Sequence, residues 1–111
     1  MNIIDFSPEW DYTTGGSKVL ICLNQALPHV FGRNDLEQQF ECAFGETVVP
    51  VRFVQAGVIK CNAPPNDSPG FVTLNILRNS ESITVDSSTQ FEYRSQFPTK
   101  KKPKKIKNGR I

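Results

Sequence analysis

The stretch FSPEWDYTTGGSKVLI, residues 6–21, places two apolar runs on either side of a Pro, two acids, two Thr and a Gly-Gly pair. Pro8 ends the first run because proline has no backbone N–H to donate to a strand ladder. Gly15 and Gly16 let the backbone take positive φ values just before the second run. We therefore expect a strand, a long turn and a strand, with Trp10 and Tyr12 folded over one end as a lid. Nothing in this stretch requires a catalytic residue.

The rest of the chain continues the pattern of short strands. Alternating apolar residues at 40–44 and 71–77 predict strands with one buried face, and Pro50 within residues 47–54 predicts a sheet edge. About seven such strands, with turns roughly every 8–12 residues, are typical of a sandwich. We predict an all-β, immunoglobulin-like antiparallel β-sandwich. Its predicted core is Ile4, Phe6, Val19, Ile21, Phe40, Cys42, Phe44, Ile59, Cys61, Val72, Leu74, Ile76, Phe91 and Tyr93.

One segment breaks the rhythm of strands. Residues 24–39 form a polar insertion that contains Pro28 and Gly32, and only residues 35–38 suggest a helical turn. No apolar run approaches the roughly 18 residues that a membrane span requires. The N-terminus lacks the basic start and apolar stretch of a signal peptide.

The formal charge of +2 hides an asymmetry along the chain. Residues 1–98 contain six Lys or Arg against eleven Asp or Glu, a charge of −5, whereas residues 99–111 contain seven Lys or Arg and no acid. No apolar pattern continues past residue 97. We therefore predict an ordered domain at 1–97 and a basic disordered tail or linker at 98–111.

The three cysteines predict reduced thiols. An odd number of cysteines without a signal peptide argues against a disulfide framework. Cys42 and Cys61 are in phase with the apolar face of their strands and should be buried, while Cys22 should be more accessible. Their spacings do not resemble the close pairs of a zinc site.

The remaining polar residues give no sign of an enzyme. The single histidine, His29, lies in a loop, and no nucleophile motif accompanies it. Asp5, Glu9 and Asp11 lack the glycine turn and fixed ligand spacing of a calcium loop. We expect neither a cofactor nor a metal.

Motifs along the whole predicted domain resemble one known family. The pattern SP…GG.KV.I, followed by FG…VP, I.C.AP……G.V.L.I and F.Y, resembles the IPT/TIG domain, an immunoglobulin-like domain shared by plexins and transcription factors. The segments DFSPEWDYTTGGSKVLI, CAFGETVVPVRFVQAGVIKCNAPP and GFVTLNI look like the version in calmodulin-binding transcription activators. Segment 24–39 departs from the pattern, because a shorter loop is expected there.

The resemblance implies a multi-domain nuclear protein. Such proteins carry a sequence-specific DNA-binding domain, this module, ankyrin repeats and calmodulin-binding IQ motifs. None of the other parts occurs in this chain, so the resemblance does not assign calmodulin binding to it. It implies a transcription-regulating module that works by contact with a protein partner.

One strand indicates where such a contact would lie. Val19 and Ile21 are predicted to face inward, yet Leu20 and Cys22 on the other face are also apolar, and Val58 in a neighbouring strand points the same way. A two-sided apolar strand outside a sandwich is a candidate interface. The alternative is that segment 24–39 covers it. IPT domains of Rel-type transcription factors pair through the comparable sheet, so the resemblance implies homodimerisation.

The basic tail is the candidate for contact with DNA phosphates or with the nuclear import machinery. A contact of this kind would be salt-dependent and without base preference. Two other readings remain open, a structural spacer and, through the sequon at residues 66–68, an extracellular receptor repeat. The candidate tail residues are Lys100, Lys101, Lys102, Lys104, Lys105 and Lys107.

Overall fold

The alternation of apolar and polar residues produces a two-layered β-structure. A computed structural model describes residues 1–27, 34–86 and 88–96, with the backbone alone described at residues 34–36. Its strands are β1 (Ile3–Ser7), β2 (Trp10–Tyr12), β3 (Lys18–Leu23), β4 (Phe40–Phe44), β5 (Thr47–Pro50), β6 (Arg52–Gln55), β7 (Val58–Asn62), β8 (Gly70–Arg78), β9 (Glu81–Ser82) and β10 (Gln90–Arg94).

Two sheets face each other. One has the order β1-β3-β7-β6, and the other has the order β2-β10-β8-β4-β5, with β9 paired to β8. All neighbours are antiparallel except β2 and β10, which are parallel. The predicted immunoglobulin-like sandwich is confirmed. The described residues contain ten strand segments instead of about seven.

The core lies between the sheets and is centred on aromatic rings. Phe91 is fully buried, and its ring centroid lies 5.1 Å from that of Phe44, 5.3 Å from that of Tyr93 and 6.5 Å from that of Phe6. Phe6 and Val72 are half-buried against this core. The other predicted core residues are buried, with one exception. The sequence did not indicate the buried Leu23, Leu27, Ala43, Val51 and Ala63.

The exception is Ile4, which the sequence placed inside and which is 64% exposed. Ile3 pairs with Leu23 and Asp5 with Cys22, so two residues of β1 oppose one step of β3. This bulge turns Ile4 outward and leaves Ile3 against the core. The prediction was wrong because a single inserted residue reverses the face of everything before it.

Residues 47–54 do not form one strand. β5 ends at Pro50 on the edge of its sheet, and β6 begins at Arg52 in the opposite sheet. Val51 between them is 2% exposed, so the chain crosses through the core at this point. The expectation that Pro50 marks an edge is confirmed.

The predicted helical turn in segment 24–39 is present as a 3₁₀ helix at Asn34–Gln39. Glu37 ties this helix to β6: one carboxylate oxygen accepts from the backbone N–H of Phe53 at 2.7 Å, and the other lies 3.4 Å from Nε of Arg52. Residues 28–33 lie outside the described part of the chain. No described helix has the length and apolar character that crossing a membrane requires.

The stretch after Pro8 is a strand and not a lid. β2 pairs in parallel with β10, with Trp10 opposite Glu92 and Tyr12 opposite Arg94. The guanidinium of Arg94 stacks 4.2 Å from the centroid of the Trp10 ring, a cation–π contact. Pairing with β10 therefore fixes Trp10 and Tyr12 in an edge strand, whereas the sequence analysis placed them in a lid over one end of the sandwich.

The turn after β2 is held by buried polar groups. The carboxylate of Asp11, 6% exposed, accepts from the backbone N–H of Tyr12 at 2.7 Å and of Ser17 at 3.0 Å. The Tyr93 hydroxyl donates to the carbonyl of Pro64 at 2.6 Å, and burial raises the pKa of Tyr93 to about 12. These bonds fasten the turn at 13–17 and the one at 63–66 to the same end of the sandwich.

Gly15 is required where the two turns meet. Its φ is +72°, and a Cβ there would lie 2.7 Å from the carbonyl carbon of Pro64 and from the nitrogen of Pro65. Gly16 also has a positive φ, of +102°, but a Cβ on it would meet no atom within 4 Å. Substitutions at these two glycines therefore distinguish the cost of a positive φ from the cost of steric overlap with the Pro64–Pro65 turn.

We expect Gly16→Ala to lower the free energy of unfolding by about 1 kcal/mol, from backbone strain alone. Gly15→Ala adds a collision with backbone atoms and should cost on the order of 2–4 kcal/mol. Denaturant unfolding of both variants measures the difference. Equal losses would contradict the close packing of Gly15 on the Pro64–Pro65 turn.

Candidate interaction surface

The outer face is the solvent-facing surface of the sheet β1-β3-β7-β6. Strand β3 sets it up by alternation, because Val19, Ile21 and Leu23 are buried and the residues between them point away from the core. Leu20 is 41% exposed and Cys22 is half-buried. The inner face of β3 is thus entirely apolar, and Leu20 and Cys22 make its outer face partly apolar as well.

The structure brings the three sequence-predicted interface residues together. Cys22 lies directly opposite Val58 on β7, and Leu20 lies opposite Lys60, one pair further along the same face. Val58 is half-buried. Cross-strand neighbours of this kind have Cβ atoms about 4.5–5.5 Å apart, so the side chains of Cys22 and Val58 share one surface.

Two bulges extend this surface to both edges of the sheet. The bulge in β1 leaves Ile4 next to Asp5, which lies opposite Cys22, and a second register shift in β6 leaves Val54 next to Gln55, which lies opposite Val58. Val54 is 49% exposed. Sequence reasoning missed both residues, because a bulge shows itself only when the pairing register is known. We call Ile4, Leu20, Cys22, Val54 and Val58 the apolar patch.

The described parts of segment 24–39 do not lie on the apolar patch. Leu27 is buried in the core, and Glu37 binds the backbone of β6. The exposures of Ile4, Leu20 and Val54 leave the patch open to solvent within the described chain. The alternative that this segment covers the face therefore finds no support among these residues.

A row of positive charge borders the apolar patch. Lys60 lies opposite both Leu20 on β3 and Arg52 on β6, and Lys18 lies one pair further along, opposite Asn62. Lys18, Arg52 and Lys60 line one cleft of about 490 Å³ together with Val49, Pro50, Cys61 and Asn62. We call Lys18, Arg52 and Lys60 the basic row. Arg52 is partly neutralised by Glu37, at 3.4 Å.

A comparison with protein families agrees with this architecture. The model of the IPT/TIG domain matches residues 1–93, almost all of the described chain. The chain belongs to the IPT/TIG family. The resemblance seen in its motifs is thereby confirmed.

Similar proteins place this IPT/TIG domain among those of calmodulin-binding transcription activators. It is 35% identical over 96 residues to calmodulin-binding transcription activator 2 of Homo sapiens, covering 85% of this chain and 7% of that protein. It is 37% identical over 105 residues to calmodulin-binding transcription activator 5 of Arabidopsis thaliana, covering 92% of this chain and 11% of that protein. The chain therefore spans about a tenth of these relatives, and it is an IPT/TIG domain of the kind that transcription activators carry.

The opposite sheet of the IPT/TIG domain exposes a different surface. Phe71 on β8 is 63% exposed, and Trp10 and Tyr12 on β2 lie across β10 from it. Between them, Arg94 forms an ion pair with Glu92 at 3.0 Å. Arg94 is thus separated from the basic row by the whole sandwich.

The cysteines of the domain are free, as predicted, with Cys42 and Cys61 buried. Their thiols interact: the hydrogen bond from Cys42 lowers the pKa of Cys61, and the same bond together with burial raises the pKa of Cys42. Among the described residues no three His, Cys, Asp or Glu side chains form a group able to hold a metal ion. The six tail lysines lie outside the described residues.

Proposed function

We propose that this chain is a non-enzymatic interaction module of a nuclear transcription activator, and that two copies pair through the outer face. The observation that carries the proposal is the apolar patch, in which Ile4, Leu20 and Val54 are exposed beside the half-buried Cys22 and Val58. Full burial of one aliphatic side chain contributes roughly 1.5–3 kcal/mol. An isologous contact would cover four aliphatic side chains and Cys22 from each copy at once.

The arrangement of charge on the outer face is compatible with such a pair. Face-to-face packing places the twofold axis in the plane of the interface. An axis along the cross-strand line through Cys22 and Val58 would leave the two basic rows on opposite sides of it. The like charges would then stay apart, at the rim, where they keep access to solvent.

A second part of the proposed function is auxiliary contact with DNA phosphates. The basic row offers a binding surface on the body, and residues 98–111, which we propose as a basic linker or tail after a domain at 1–97, offer seven further positive charges. Such contacts position a protein on DNA without reading its sequence. The same basic run is our candidate for nuclear import.

The relatives are named for calmodulin binding. We assign that activity to regions outside this chain. The basic run at 100–107 lacks the spaced large apolar anchors of a calmodulin-target helix.

The competing function is a structural spacer between a DNA-binding domain and ankyrin repeats. The apolar patch favours the interaction module, because a spacer gains nothing from exposed apolar side chains at the centre of a sheet. An extracellular receptor repeat has only the sequon in its favour.

The pairing predicts that a charge in the apolar patch separates the copies. Leu20→Glu and Val58→Glu should each leave the fold intact, because neither side chain enters the core, and should shift a dimer to monomer by at least tenfold in its dissociation constant. Sedimentation at several concentrations measures this. Phe71→Glu, an exposed apolar residue on the opposite sheet, is the matched control and should sediment like the wild type.

A wild type that remains monomeric at millimolar concentration would overturn the pairing and favour the spacer. A dimer that responds to Phe71→Glu and ignores the two outer-face variants would move the interface to the other sheet.

The DNA contact predicts two graded losses in binding to random duplex. Deleting residues 99–111 removes seven charges and should flatten the salt dependence most. Lys18→Gln combined with Lys60→Gln should reduce the slope of log K against log salt by about 2 at most. Fluorescence anisotropy over a salt series measures both, with Lys18→Arg combined with Lys60→Arg as the charge-preserving control. A slope that ignores the Gln pair would show that the basic row does not touch DNA.

A further inference from the structure

The basic row and the point where the described chain ends lie at the same end of the sandwich. Gln96 is exposed and lies two positions after Arg94, where β10 ends. The backbone N–H of Thr13 donates to the carbonyl of Arg94 at 3.0 Å. The turn at 13–17 leads from this bond into Lys18, the first residue of β3 and a member of the basic row. The sequence that follows Gln96 therefore starts close to the basic row.

The surface between these two points is uncharged. It is built by the turns at 13–17 and 63–66, which contain only Thr, Gly, Ser, Ala, Pro and Asn. The backbone N–H groups of Gly16 and Asn66 each donate to a carbonyl of the other turn, at 2.8 and 2.9 Å, so the two turns form one surface. Asp67 is exposed at its border. A phosphate chain can cross the two turns without meeting a carboxylate within them.

The opposite end of the sandwich carries the N-terminus and an exposed acid. The backbone N–H of Asn24 donates to the carbonyl of Asn2 at 3.0 Å, just after β3 ends. The side-chain oxygen of Asn2 accepts from the backbone N–H of Asp86 at 2.7 Å, and Asp86 is exposed. At about 3.3 Å per residue, the length of β3 separates this end from Lys18 by about 17 Å. The two ends therefore differ in their suitability for a polyanion.

We infer that residues 99–111 and the basic row bind one DNA duplex together, with the two uncharged turns between them. The inference rests on the proposed contact with DNA phosphates and adds that the two contacts are simultaneous. As a coil, a chain of thirteen residues has a root-mean-square span of about 20 Å, which exceeds the roughly 10 Å between the sheets of a sandwich. The seven charges after residue 98 can thus reach the phosphates beside the basic row.

Linkage of the two contacts gives the basic row a role that it could not have alone. Residues 1–98 carry a net charge of −5, so the body as a whole repels DNA, and Arg52 is shared with Glu37 at 3.4 Å. A tail already bound to the duplex raises the effective concentration of phosphates at the row. Two weak contacts then act as one bivalent contact at this end of the sandwich.

The test moves the tail to the other end of the sandwich without changing the composition. In the transplanted chain, residues 99–111 stand before Met1, and the chain ends at Pro98. Both chains are titrated with a random duplex of about eight base pairs, roughly 27 Å long, and fluorescence anisotropy reports the affinity. The original chain should bind more tightly, by roughly threefold or more, because effective concentration falls as the distance to be spanned approaches or exceeds the span of the coil.

A double substitution separates linked contacts from independent ones. Lys18→Gln combined with Lys60→Gln should weaken binding by the original chain about threefold more than binding by the transplanted chain, because only the original tail brings phosphates to the row. Lys18→Arg combined with Lys60→Arg is the charge-preserving control and should leave the affinities of both chains unchanged.

Amide signals in the NMR spectrum of the original chain locate the duplex. Those of residues 13–17 and 63–66 should shift on addition of the duplex, whereas those of Asn2 and Asn24 should not. An equal effect of the Gln pair in both chains, or turn signals that do not move, would overturn the inference and leave separate DNA contacts standing. If neither chain binds the duplex, the proposed DNA contact fails, and the inference fails with it.

Discussion

The packing of Phe91 between the two sheets is the contact on which the rest of the structure depends. This fully buried ring on β10 contacts Phe44 on β4 of its own sheet and Phe6 on β1 of the opposite sheet. Once these rings are inside, the period of two along each strand fixes which residues face solvent. The exposure of Leu20 and Cys22 is therefore a consequence of burying Val19 and Ile21.

The sequence predicted the strands and their buried faces wherever apolar and polar residues alternate within a single strand. Leu74 and Ile76 on β8, and Phe91 and Tyr93 on β10, are buried as the pattern predicted. Pro50 correctly predicted a sheet edge, because a residue without a backbone N–H cannot donate a hydrogen bond to a neighbouring strand in any sheet. The same local reasoning placed Leu20, Cys22 and Val58 on one face, and the strand pairing brings them together.

The features that escaped prediction all depend on pairing between distant segments. The bulge at Ile4 and the register shift at Val54 exist only relative to β3 and β7. The crossing at Val51 depends on the pairing of β5 with one sheet and of β6 with the other. The parallel pairing of β2 depends on β10, about eighty residues away. No pattern within a single strand encodes these relations. Their consequence lies on the outer face, where the two shifts leave Ile4 and Val54 exposed at the edges of the sheet.

The outer face joins two properties that the sequence kept separate. Cys22 and Val58 form an apolar pair at one level of the sheet, and the positive charges of Lys60 and Arg52 lie at the next level along the strands. The acidic balance of the body, −5 over residues 1–98, conceals this local positive row. In the pairing that we propose, charge lies at the rim of the contact and apolar side chains lie at its centre.

The most direct test of this account is an isotope-filtered NMR experiment on an equimolar mixture of labelled and unlabelled chains. It detects only contacts between different copies. The account predicts intermolecular nuclear Overhauser effects among the methyl groups of Ile4, Leu20, Val54 and Val58, and none to the ring of Phe71. Intermolecular effects confined to Phe71 and Tyr12, or none at millimolar concentration, would contradict it.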